Sequence, residues 1–255
     1  MKAPLSWIKE YIDLEGIGIE ELANILTSVG LEVENVLLVG VEKPAGKLKN
    51  KYAGLPWDKD KFVVAEVVEV NQHPNADRLT LCELNDGTGV TTVLTGAPNM
   101  FPWIGKGRLE QPLKVAYARE GSMLYDGHQP GQVLTKLKKT TIRGVESRSM
   151  ICSEKELGIS EEHELDADAP VGMPLVDYMG DVVYEVAILP NMARDASILG
   201  IARELSAVLD RPLRLPEGVA MRKGGAISGK VALEVHDSTL NPRFMLGMVE
   251  GTQAR

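Results

Sequence analysis

Aromatic residues make up only 5% of this chain, and it holds two cysteines and four histidines. No apolar run approaches the roughly 18 to 20 residues that a membrane helix needs. Met1 to Glu10 lacks the basic-then-apolar layout of a signal peptide, so a cytoplasmic protein without membrane contact is expected. Cys82 and Cys152 have no CxxC spacing and no partner histidine, which argues against both a zinc site and a disulfide framework and predicts reduced, at least partly buried thiols. His73, His128, His163 and His236 are scattered, and there is no Gly-x-Gly-x-x-Gly, P-loop or Gly-x-Ser-x-Gly elbow, so no independent enzyme class is indicated. Basic residues are also in deficit, 28 Lys and Arg against 36 Asp and Glu for a net charge of −8, so any nucleic-acid contact must be local. What remains is an ordinary globular composition, 44% hydrophobic and 25% charged over 255 residues, enough for one or two domains.

Hydrophobic periodicity places helices at both ends of a strand-rich middle. Trp7, Ile8, Tyr11 and Ile12 share a helical face behind Ser6 as an N-cap, and Leu22, Ile25, Leu26 and Val29 share another that Gly30 closes. Glu32 to Val39 reads as a strand. Residues 41–61, with Pro44, Gly46, Gly54, Pro56 and lysines at 43, 47, 49, 51, 59 and 61, read as a linker or large loop, either solvated or touching RNA. Strands are expected at 62–70, 79–84, 90–94, 113–118 and 133–137, five short runs that suggest a small closed barrel. Ser153 and Glu156 form a capping box that Gly158 can end. A strand at 182–189, a helix at 197–209, a Gly-rich basic linker at 216–230 and strands at 231–235 and 243–249 follow.

The most informative stretch is Val63 to Gly87, a strand, a polar corner and a second strand. Pro74 holds His73 extended, while Asn75 and Asp77 can close side-chain turns. The run His73-Pro74-Asn75-Ala76-Asp77-Arg78-Leu79 with Cys82 behind it resembles the tRNA-binding module shared by bacterial phenylalanyl-tRNA synthetase β subunits, some methionyl-tRNA synthetases and free-standing tRNA-binding proteins. That resemblance implies an oligonucleotide-binding (OB) barrel. His73, Asn75 and Asp77 either brace the corner or touch RNA. Thr95-Gly96-Ala97-Pro98-Asn99 is similar to the family's Gly-Ala-Pro-Asn loop, where Gly96 permits a tight backbone and Pro98 stiffens the exit.

Lys136 to Gly158 resembles the closing element of the module, a basic strand leading through Arg143-Gly144-Val145-Glu146-Ser147 to Met150-Ile151-Cys152-Ser153-Glu154-Lys155-Glu156-Leu157-Gly158, with Ser149 where glycine is usual. Lys136, Lys138, Lys139, Arg143 and Arg148 are the candidate RNA contacts, 136 and 138 on one strand face; the alternative is a solvated edge whose lysines deter aggregation. Trp57, Phe101, Trp103, Tyr117 and Tyr125 either stack on bases or anchor core and loops.

The flanks resemble the synthetase β subunit alone. Leu5-Ser6-Trp7-Ile8-Lys9-Glu10-Tyr11-Ile12 and Thr27-Ser28-Val29-Gly30-Leu31-Glu32-Val33-Glu34 look like its opening, and Pro190-Asn191 with Leu199-Gly200-Ile201-Ala202-Arg203-Glu204 like a later helix. Asp195-Ala196 replaces the expected Cys-Leu, and 161–166 is shorter than usual. The resemblance implies mixed α+β architecture: an OB-fold barrel (41–151) inserted into a discontinuous small α+β domain (1–40 and 152–195), then a helix, a linker and the start of a further α/β, editing-type domain (196–255) that includes Asn241-Pro242-Arg243-Phe244. It also implies tRNA and a synthetase α subunit as partners in an α2β2 ligase that uses ATP and Mg2+. No catalytic residue, metal site or cofactor is expected within this fragment.

Overall fold

The computed structural model describes residues 1–127, 129–159, 164–215 and 227–249, which fall into two units, Met1–Arg214 and Leu215–Arg255. His128, His163, residues 161–163 of the short stretch and 216–226 of the expected basic linker lie outside the described residues.

In the first unit, strands β1 (Lys2–Pro4), β2 (Glu32–Gly40), β3 (Tyr52–Pro56) and β13 (Asp181–Ala187) form one sheet in the order β1-β13-β2-β3. Strand β13 runs antiparallel to β1 and β2, and β3 runs parallel to β2. Helices α1 (Leu5–Tyr11), α2 (Ile19–Ser28) and α5 (Ile198–Leu209) pack on it around Ile8, Ile12, Leu22, Leu26, Tyr184, Ile201 and Leu205. The ends of α2 follow their sequence signals: Glu20 and Glu21 occupy the first turn, and Gly30 takes a left-handed φ of 92°. Helix α5 is capped by Ser197, whose Oγ accepts the Gly200 N–H at 3.0 Å. Ser6 does not cap α1. It lies inside the first turn and gives its N–H (3.1 Å) and hydroxyl (2.5 Å) to Asp181 at the head of β13, so the cap is supplied across the sheet. Trp7 leaves the predicted face and is half exposed.

Strand β3 corrects the reading of 41–61 as linker or large loop throughout. Gly54 has φ 121°, and a Cβ there would stand 2.0 Å from the Leu38 carbonyl oxygen, so only glycine lets β3 lie against β2. The preceding loop is tied back through Glu20, which accepts the Lys49 N–H at 2.7 Å and the Tyr52 hydroxyl at 2.6 Å.

Between these contributions to the first sheet, β4 (Phe62–Gln72), β5 (Thr80–Asn85), β6 (Val90–Thr95), β7 (Arg108–Ala118) and β12 (Met150–Ile151) form a five-stranded antiparallel sheet in the order β12-β7-β4-β5-β6. It is barrel-like and nearly closed, since β12 also approaches β6 within 8 Å. Strand β4 is buried on both faces. Val63, Ala65 and Val67 point into the barrel with Cys82, Leu84, Val93 and Tyr117, and a bulge after Val67 switches the parity so that Val70 joins them. Phe62 and Val64 face a second core with Leu55, Trp57, Tyr125, Leu157 and Leu175, fed by α3 (Glu154–Leu157) and α4 (Leu175–Met179). Helices α3 and α4 therefore pack on the outer side of the five-stranded sheet before β13 returns to the first one. The α3 capping box forms, with Glu156 accepting the Ser153 N–H at 2.7 Å and Gly158 left-handed at 77°.

The expected fifth barrel strand at 133–137 is instead β9 (Leu134–Lys136), a hairpin partner of β8 (Met123–Tyr125) outside the barrel sheet. Closure falls to the two residues of β12. A second hairpin, β10 (Thr140–Ile142) with β11 (Val145–Ser147), lies between them in sequence. In the second unit, 231–235 and 243–249 form no strand. Among the described residues Val231 makes one isolated bridge to Ser228 and no ladder forms, and Leu233, Phe244, Met245 and Val249 stay exposed.

Candidate nucleic-acid interface

Three connections meet at one end of the five-stranded sheet. The corner 73–79 joins β4 to β5, residues 96–107 join β6 to β7, and the tip of the β10–β11 hairpin reaches the corner. The ladders fix this placement: Gln72 faces Thr80, Thr80 faces Thr95, and Glu69 faces Arg108. In the corner His73 is 2% exposed, and its Nδ1 accepts the Asn75 N–H at 3.0 Å. His73 N–H reaches the Leu79 carbonyl at 3.4 Å, closing the corner behind Pro74. Asn75 uses its side chain outward, donating Nδ2–H to the Arg143 carbonyl at 3.2 Å. His73 therefore braces, while Pro74, Asn75, Asp77 and Arg78 are exposed.

The expected roles of the 96–99 loop divide. Gly96 is not left-handed, and an added Cβ would meet Leu79 Cδ2 at 3.5 Å, an ordinary contact, so no tight backbone depends on it. Asn99 is exposed on the 3-10 turn Pro98–Trp103. The following Gly105-Lys106-Gly107-Arg108 was not singled out in the sequence, yet it adds two exposed cations to the corner end. Gly105 N–H bonds the Val70 carbonyl at 3.1 Å, and Lys106 Nζ sits 4.9 Å from the Trp103 ring centre. Alternating Gly and basic residues after a stiff Pro-Asn turn was the available signal. With Arg78 and Arg143, this end presents four exposed cations.

The five basic candidates do not form one cluster. Lys136 ends β9, its Cε near Gly121, where a Cβ would also lie 3.7 Å from Lys61 Cε. Lys138 lies beyond that strand, so the shared strand face predicted for 136 and 138 does not exist. Lys139 and Arg148 both pair with Glu146, whose carboxyl they hold below its usual range, Lys139 most strongly. Arg143 occupies the hairpin turn with φ 51°, followed by Gly144 at 90°, two left-handed residues as a two-residue hairpin turn requires. Among the described residues no carboxylate pairs with Lys136, Lys138 or Arg143. The run is thus a basic track neutralised at the hairpin base, where Lys139 and Arg148 meet Glu146, and unneutralised at Lys136 and Lys138 before it and at Arg143 in the turn.

The aromatics sort by burial. Trp57, Tyr117 and Tyr125 are core, Trp57 giving Nε1–H to the Leu157 carbonyl at 3.2 Å; Phe101 and Trp103 alone remain half-buried at the corner end. Cys82 and Cys152 are free, and burial pushes the Cys82 thiol up. The basic loop is partly consumed by ion pairs, Lys59 with Asp177 at 2.6 Å and Lys61 with Asp58 at 2.8 Å. On the outer face Lys114 binds Glu66 at 2.8 Å, drawing its carboxyl down, and Arg119 binds Asp86 at 2.8 Å.

Comparison with known proteins bears on this end of the sheet directly. The family described as "Putative tRNA binding domain" matches residues 62–106, from β4 through the corner to the 96–107 connection. The phenylalanine–tRNA ligase β subunit of Dehalococcoides mccartyi strain CBDB1 is 38% identical over 258 residues, covering 98% of this chain and 28% of that protein. The same subunit of Geobacter sulfurreducens is 36% identical over 96% of this chain and 27% of its own length, and that of Rhodospirillum rubrum 39% over 81% and 22%. The chain therefore spans less than a third of the curated relatives it matches. A solved structure, that of a MetRS related protein from Pyrococcus horikoshii, covers 44% of this chain and 86% of its own at 18% identity and a TM-score of 0.30, too low to define a shared fold.

Proposed function

From its homology to phenylalanine–tRNA ligase β subunits over 98% of its length, we propose that this chain is the non-catalytic N-terminal region of such a subunit, a cytoplasmic tRNA-binding and assembly region. Its five-stranded sheet acts as an OB fold inserted into the α+β domain built from both flanks. In that fold the connection between the first two strands and the one before the last strand flank the oligonucleotide surface. Here those are the 73–79 corner and the segment carrying the β10–β11 hairpin, which Asn75 joins. The observation that carries the RNA reading is the match of the tRNA-binding family to 62–106, supported by Arg78, Lys106, Arg108 and Arg143 gathering at one sheet end of a chain whose net charge is −8. The α subunit is the partner for the α+β domain in an α2β2 assembly, and ATP and Mg2+ serve the charging reaction outside this chain. Among the described residues no helix is long and apolar enough to cross a membrane.

A second reading, in which the barrel serves assembly alone, draws on Glu146 neutralising Lys139 and Arg148. tRNA affinity at low and moderate salt separates the two. Charge reversal of Lys138 and Lys139 is expected to weaken binding and to lower the slope of log affinity against log salt by about 0.7 to 0.9, the one phosphate contact of Lys138, since Lys139 already faces Glu146. A folded chain that binds no tRNA at either salt would leave the assembly reading standing. Copurification of an α subunit with the full-length β chain tests the partner.

A further inference from the structure

The β10–β11 hairpin has almost no core of its own. Its strands are three residues each, every residue of β10 is exposed, and β11 alternates half-buried with exposed. A two-stranded ribbon of this kind is marginal in water. Its turn also carries a conformational penalty, because Arg143 sits at φ 51°, where a side chain other than Asn or Gly is disfavoured. Something outside the hairpin must hold the tip, and the contact at hand is the corner. Asn75 Nδ2 donates to the Arg143 carbonyl, and it lies 3.7 Å from where a Gly144 Cβ would be. Asn75 in turn is held by buried His73, whose Nδ1 accepts its backbone N–H. That bond fixes the imidazole tautomer, with Nδ1 as acceptor and the proton of the neutral ring on Nε2.

We propose that His73 and Asn75 form a relay that positions the Arg143–Gly144 turn for an RNA phosphate, making Asn75 a positioning residue for tRNA rather than a contact. The inference rests on the tRNA-binding reading above. The corner motif then has one purpose for each member: Pro74 sets the bend, His73 locks the backbone, and the Asn75 side chain reaches 68 positions along the chain to the cation.

The test uses this chain and unfractionated bacterial tRNA carrying a fluorescent label, with affinity measured across salt for wild type, Arg143→Ala, Asn75→Ala and the double variant. Each single change is expected to weaken binding about three- to tenfold at low salt and to reduce the salt slope by about 0.7 to 0.9, one phosphate contact. The double variant should be no weaker than Arg143→Ala, since both remove the same contact. Asn75 is exposed, so its variant should keep the wild-type melting temperature, and amide exchange at Gly144 should rise. Asn75→Gln, which keeps the amide donor, should restore part of the affinity. Wild-type affinity for Asn75→Ala while Arg143→Ala is impaired, or additive losses in the double variant, would overturn the relay and leave the RNA surface intact. Full affinity in Arg143→Ala, or no binding by wild type, would overturn this interface and the relay with it.

Discussion

Replacing Glu146 with glutamine should turn the hairpin base of the basic track from a neutralised stretch into a second anchor. The carboxylate stands on β11 opposite Thr141 and takes Lys139 on one oxygen and Arg148 on the other. Across Lys136, Lys138, Lys139, Arg143, Arg148 and Glu146 the formal charge is five minus one, or +4, and it becomes +5 in Glu146→Gln. More important than the sum is location, because two cations that now face a carboxylate are released for phosphate. Each released cation that meets a phosphate adds about 0.7 to 0.9 to the salt slope, so the slope should steepen by up to about 1.8. One charge pair at contact distance in water corresponds to an affinity gain of about fivefold at low salt, falling to about threefold near 0.15 M, where the screening length is about 8 Å. Fluorescence anisotropy with labelled tRNA from 25 to 200 mM salt reads both quantities. The melting temperature should not move, since an exposed ion pair contributes little to folding. Unchanged affinity and slope in a folded Glu146→Gln protein would refute the track as an RNA surface and assign its lysines to solubility.

Three stability predictions follow from individual contacts. Gly54→Ala should cost on the order of 3 kcal/mol in urea unfolding, because its Cβ would stand 2.0 Å from the Leu38 oxygen. Gly46→Ala, also left-handed at 101° but with nothing within 4 Å, should cost only about 1 kcal/mol; equal losses would show that β3 does not pack as described. Burial raises the Glu20 carboxyl, but the Tyr52 hydroxyl and the Lys49 N–H outweigh it and bring it down from 4.5 to about 2. The folded state then binds this proton less readily than the unfolded one, so Glu20 contributes stability above pH 4.5 that is lost as pH falls toward 2. Tyr52→Phe should flatten the urea midpoint over that window, and superimposable profiles would exclude the contact. Trp57→Phe should lose about 1 kcal/mol through the Leu157 carbonyl left without its donor, measurable by thermal melts.

The parts of the fold that follow hydrophobic period were legible. Helices α2 and α5 declare themselves by one apolar face and end signals at Gly30 and Ser197, and β4 to β7 by β-branched runs between turn residues. The misplaced pieces are those whose structure depends on a partner. Tyr52-Ala53-Gly54-Leu55-Pro56 carries two residues that usually end strands, and it is a strand because β2 offers a parallel edge and Gly54 fits under Leu38. Val133 to Leu137 has strand composition but hydrogen-bonds β8 instead of the barrel, while the barrel closes on Met150-Ile151, too short to show any period. Ser6 lost its cap to Asp181, a competition between residues 175 positions apart that no local rule ranks.

At the candidate interface the residue types were legible and their pairing was not, although the sequence held the information. Gly144 marks a turn, and a two-residue hairpin at 143–144 forces 142 opposite 145, 141 opposite 146 and 140 opposite 147, as the ladder has it. Extending that register by one step sets 139 opposite 148. Side chains alternate faces, so 139, 141, 146 and 148 fall on one face, which places a lone glutamate between two cations before any coordinate is known. Counting five basic residues as one patch overlooked this. The acidic balance of the chain makes the distinction matter: where the surroundings repel phosphate, affinity depends on cations without a local carboxylate. Lys136 and Lys138 before the hairpin and Arg143 in its turn meet that condition among the described residues, and of these Arg143 is the one whose backbone is fixed by the His73 corner.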